Sequence, residues 1–139
     1  MAILWGEKRE EQMLARMLGE LGFGHLWQPS GATIHFDLDK AKHQVSVYRI
    51  AKDMHLWGLS HLVFKPGCVP PGVTRGVMRR NTQLDEIQWT HSLSWDHEIF
   101  AVSVAKPIRQ LNALDLRTLL MRTVEELERC RRILDFVRN

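Results

Sequence analysis

Seven histidines and two cysteines are the residues of this chain best able to do chemistry, by holding a transition metal or by attacking a carbonyl. Either task imposes a spacing. Two metal ligands on one strand face stand at i and i+2, and on one helix face at i and i+3 or i+4. No pair among the histidines has either spacing, and His55 and His61, six apart, would lie about 20 Å from each other along a strand. A metal site would have to be assembled across strands, for instance from His35, His43 and His91, and paired structural histidines at strand edges are the simpler expectation. Cys68 and Cys130 match no CxxC or CxxH spacing, so they read as reduced structural thiols rather than a disulfide framework. To act as a nucleophile, Cys68 would need His61 or His91 brought beside it by the fold, and no G-x-S-x-G turn offers a serine instead. The segment "PGCVPPG" lacks the G-K-[ST] ending of a phosphate loop. The expectation is a protein with no cofactor, no metal and no catalytic residue.

Charge points toward binding instead. The formal net charge is +3, yet no acidic residue stands between Asp53 and Asp85, where Lys65, Arg75, Arg79 and Arg80 give a local charge of +4. That segment could attract an acidic partner or a phosphate. RNA recognition on a sheet would call for exposed aromatics flanked by basic residues on one strand, and "EIQWTHSLSW" (86–95) contains no Lys or Arg. The short apolar run at the N-terminus, with five charges from Glu7 to Glu11 behind it, is too short for a signal-peptide core. No stretch approaches the ~18 consecutive apolar residues of a membrane span. A cytoplasmic protein is expected.

The elements that must position these residues follow from periodicity. Met13, Leu14, Met17, Leu18 and Leu21 mark one face of a helix over 7–21, which Gly22 ends as a left-handed cap. "ATIHFDL" alternates as a half-buried strand, "HQVSVYRI" is a second, and "MHLWGLSHLVF", apolar on both faces, suggests a central third. "KPGCVPPG" (65–72), with three prolines and two glycines, is a connector. Thr74 is the expected cap of a short helix, "RGVMRRN". Strand four covers 86–95, with Ile87, Trp89, Leu93 and Trp95 toward a core. "DHE" is its turn, and "IFAVSV" is strand five. From 116 to 137 an amphipathic helix places Leu116, Leu119, Leu120, Leu127, Cys130, Leu134 and Val137 on one face, with Glu125–Arg129 and Glu128–Arg132 as ion pairs on the other. With 139 residues and nothing to divide them, residues 1–139 form a single domain: α+β, one antiparallel five-stranded sheet covered by helices.

This order, with "VPPGVTRGVMRRN" before the hairpin and "LNALDLRTLLMRTVEELERC" after it, resembles the type III secretion chaperone-like family and its YbjN-type relatives. The resemblance implies an α-β-β-β-α-β-β-α fold, action without catalysis, binding of unfolded protein segments, and a homodimer paired through the short helix, here with Val73, Val77 and Met78 at the interface. Arg75, Arg79 and Arg80 would then face a protein client, one with acidic segments, and Trp95, beside the turn, would reach a partner. The alternatives are a small immunity or inhibitor protein, and a binder of RNA or another acidic ligand through the basic segment from Lys65 to Arg80.

Overall fold

Leu14, Met17 and Leu18 recur at helical period and are buried in α1 (Trp5–Glu20). A computed structural model of the chain describes residues 5–28, 31–38, 41–94 and 96–138, with side chains over 8–133 among them. Behind α1 the chain turns at Gly22, whose φ of 88° is left-handed. Gly22 N–H donates to Gly19 O at 3.1 Å and Phe23 N–H to Leu18 O at 2.8 Å, the paired bonds of a Schellman cap.

The strands are β1 (Ala32–Leu38), β2 (Ala41–Ile50), β3 (Asp53–Phe64), β4 (Gln88–Ser94) and β5 (His97–Pro107); α2 (Val73–Arg80) stands before the last hairpin and α3 (Ala113–Arg138) follows it. They form one sheet in the order β1-β2-β3-β5-β4, antiparallel throughout. The α+β order anticipated from the sequence is the observed one, with β3 in the middle.

One face of the sheet is closed and the other open. Ile34, Val45, Val47, Leu56, Phe100, Val102 and Trp89 are buried on the closed face with Leu116, Leu120, Val124 and Leu127 of α3. The helix lies closest at Gly58, where a Cβ would stand 2.7 Å from the Thr123 methyl and 2.9 Å from Leu127, so glycine permits the approach. On the open face, Thr33, Ser46, Trp57, Ser103 and Gln88 lie in one row, each in register with the next. The register of β3 on β5 shifts between Leu59 and Val63. There Ser60 Oγ donates to Phe100 O at 2.6 Å and accepts the Leu62 N–H at 3.0 Å, so the irregularity is stitched rather than frayed.

Four expectations need correction. Gly72, left-handed at φ 87°, occupies the N-cap of α2 and Thr74 lies inside the helix. The last hairpin turn is tighter than "DHE", because His97 and Glu98 already pair with Ser94 and Leu93. β3 alternates buried and half-buried positions instead of being apolar-packed on both sides. Leu93 is 73% exposed, because the closed face runs out of cover beyond Trp89: opposite Leu93 stands Glu98, not an apolar partner. Leu134 and Val137 have side chains outside those described, and Trp95 lies outside the described residues.

Candidate partner-binding site between α2 and α3

Helix α3 buries a carboxylate within its apolar stripe. Glu126 follows Leu119 by seven residues and Thr123 by three, so it falls on the buried side and its side chain is only 4% exposed. Three donors converge on it. Arg80 of α2 gives Nη2 to Oε1 at 3.0 Å and Nε to Oε2 at 3.1 Å. Arg129 gives Nε to Oε1 at 3.0 Å and Nη2 to Oε2 at 2.9 Å. The Trp89 indole Nε1–H donates to Oε2 at 2.7 Å. Burial alone would raise this carboxyl; the bonds from Arg129, Arg80 and Trp89 outweigh it and hold it down at about 2. One ion cluster thereby fastens α2, β4 and α3 together.

A second buried carboxylate lies two residues on, about half a turn round the helix. Glu128 is bonded first by Arg131, whose Nε donates at 2.8 Å, and then by the His43 Nε2–H at 2.9 Å, and these hold its carboxyl at about 2 against the opposing effect of burial. His43 is buried on β2, and its Nδ1 has no hydrogen-bond partner among the described residues.

Beside the Glu126 cluster an apolar groove of about 290 Å³ opens between the two helices, walled by Leu62, Val73, Val77, Trp89, Cys130 and Ile133. Ile133 is exposed at its mouth. Burial pushes the Cys130 thiol up to about 11, so it behaves here as a small apolar group.

The sequence-stated candidates distribute unevenly around this groove. Val73 and Val77 line it, whereas Met78, like them, is half-buried against the core. Arg80 turns inward to Glu126; Arg75, Arg79 and Lys65 are exposed. The three histidines considered for a metal do not meet. His35 and His43 occupy alternate faces of the sheet, because Phe36, not His35, is in register with His43. His91, on β4, gives Nε2 to Glu98 at 3.1 Å and stacks on Phe100 with ring centroids 4.6 Å apart. Among the described residues no three His, Cys, Asp or Glu side chains are grouped as a metal site would need. Cys68 is exposed in its connector. Glu126 escaped the sequence reading, although its place on the apolar stripe marks it: an acid at a buried helical position implies a cationic partner elsewhere in the chain.

No protein-family model matches the sequence, and no curated protein matches it. Solved structures do match. A chain of the ExsC–ExsE complex aligns with TM-score 0.65 at 14% identity, covering 92% of this chain and 95% of that one. A chain of the HopA1–SchA chaperone–effector complex aligns with TM-score 0.64 at 11% identity, covering 91% and 96%. A chain of the complex between the Yersinia pestis type III secretion chaperone SycH and a stable fragment of YscM2 aligns with TM-score 0.57 at 16% identity, covering 85% and 96%. At these identities the likeness is one of architecture, and the chain has the α-β-β-β-α-β-β-α fold found in type III secretion chaperones.

Proposed function

We propose that the protein is a non-enzymatic, chaperone-like module that binds a segment of another protein and acts as a homodimer paired through α2. The observation that carries this reading is the apolar groove between α2 and α3, present on a fold shared with chains solved in a chaperone–effector complex and in a complex of a secretion chaperone with a YscM2 fragment. The groove is kept open by a buried ion cluster rather than filled by side chains, so an apolar residue of a client, or of the second copy, can enter without displacing the core. Arg75 and Arg79, exposed on α2, would favour a client with acidic residues flanking the apolar one. Arg80, engaged with Glu126, leaves the basic segment one charge short as a site for RNA or another polyanion, which weakens that alternative. No helix among the described residues is long and apolar enough to cross a membrane.

Because Val73, Val77 and Met78 are half-buried within their own chain, α2 alone offers a second copy a small apolar area, and exposed Ile133 would extend it. Sedimentation velocity tests the pairing. Wild type is expected to run as a dimer, Val77→Asp as a monomer, and the Arg75→Ala/Arg79→Ala variant as a dimer that no longer co-purifies with the client held by wild type. A Val77→Asp protein that stays dimeric would place the interface elsewhere.

A further inference from the structure

The open face of the sheet holds a larger hollow, of about 640 Å³, lined by Gln28, Gly31, Thr33, Ser46, Tyr48 and Trp57, with Leu26 at its rim. Its walls are fixed. Gly31 presses on β2 so closely that a Cβ would stand 2.5 Å from Val47 O and 2.9 Å from the Tyr48 Cβ, and its φ of 124° suits glycine alone. Tyr48 stacks on His55 with ring centroids 5.3 Å apart and planes 14° from parallel, which sets the phenol ring. Trp57 stands between Ser46 and Ser103, two small neighbours, and is half-buried.

We propose that this hollow is a second binding site, which takes an uncharged, proline-containing extended segment of a protein partner. Charge is the first argument. None of the lining residues is ionisable at neutral pH, so an acidic or basic peptide would find no counter-charge there. Hydrogen bonding is the second. Among the described residues neither the Trp57 indole N–H nor the Tyr48 hydroxyl has a partner within the chain. A polyproline II segment has carbonyls facing outward with no internal hydrogen bonds, and each proline lacks an N–H. It therefore brings acceptors and ring faces, the complement of two donors set on two aromatic faces. A saccharide would bring as many donors as acceptors, and besides backbone only the Gln28 amide and the hydroxyls of Thr33, Ser46 and Tyr48 line the hollow to receive them. The hollow lies on the opposite sheet face from the α2–α3 groove, so this site stands or falls independently of the groove.

The test is a titration of the full-length, ¹⁵N-labelled protein with capped oligoproline, using a capped Gly/Ser peptide of equal length and maltohexaose as comparisons. The Trp57 indole resonance, assigned with Trp57→Phe, should shift saturably with oligoproline alone while the Trp89 resonance stays put. Trp57→Ala should weaken binding by on the order of tenfold or more. Tyr48→Phe, which keeps the ring and the fold, should weaken it several-fold. Val77→Asp should bind oligoproline as wild type does. No shift with oligoproline, an equal shift with the Gly/Ser peptide, or a shift with maltohexaose instead would overturn the proposal.

Discussion

Trp89 and Trp57 sit on opposite faces of one sheet. Trp89, on the closed face, is 3% exposed and gives its indole N–H to a carboxylate that two arginines also hold. Trp57, on the open face, is half-buried in a row of Thr, Ser and Gln, and its N–H has no partner among the described residues. A polar group taken out of water must be paired, so the closed face needed Glu126, and Glu126 in turn needed Arg80 and Arg129. The open face escaped that requirement because water reaches it. A donor left to water is a donor left to a ligand, whereas the buried indole is committed to holding three elements together.

The comparison can be broken most sharply by truncation. Leu127→Ala on the closed face should cost about 2–5 kcal/mol in urea unfolding as a buried cavity, and Trp57→Ala about 1 kcal/mol or less. Equal losses would mean that the two faces are packed alike. Glu126→Ala comes next, at about 2 kcal/mol, because Trp89 loses its buried acceptor while Arg80 and Arg129, with side chains 26% and 38% exposed, can turn to solvent. Combined with Trp89→Phe it should cost less than the sum of the two single changes, since both remove the same bond.

Titrating the carboxylates should cost less than deleting one. Glu126 and Glu128 are held near 2 in the folded protein, below the ordinary 4.5. A depressed folded value stabilises fully above the unfolded value and is lost as pH falls through the folded one. The urea midpoint should therefore decline between about pH 4.5 and pH 2, less steeply in a Glu126→Gln/Glu128→Gln variant and with the wild-type slope in Trp57→Ala. The smallest effect belongs to the uncovered end of the closed face, where Leu93→Ala should stay within about 0.5 kcal/mol.

Element order was legible because each element carries its own period: Leu116, Leu119, Leu120 and Leu127 announce α3, and Ile34 and Phe36 announce β1. What alternation does not carry is the extent of cover. Leu93 shares a face with Trp89, yet only the placement of the helices decides that one is buried and the other is not. Charge pairing was legible in kind but not always in partner. Glu128 does approach Arg132, at 3.7 Å, but Arg129, expected to pair with Glu125, turns to Glu126. The helical pattern put Glu125 and Arg129 within reach; the buried acid won because its need for a counter-ion is greater. Of the named partner residues, Arg80 is bonded to Glu126, an engagement that sequence spacing cannot distinguish from a solvated charge.

The seam between β3 and β5 sets the order in which the molecule can assemble. β1, β2 and β3 are consecutive antiparallel strands, as are β4 and β5, so each group can pair locally on a microsecond timescale. The middle of the sheet, in contrast, closes only when Ser60 meets Phe100, 40 positions away. During synthesis β3 therefore keeps a bare backbone edge until β5 has been made, and their pairing then closes a long loop. The strand that ends at the centre of the sheet spends its first moments as an edge, and in that interval a nascent chain is most exposed to pairing with its neighbours.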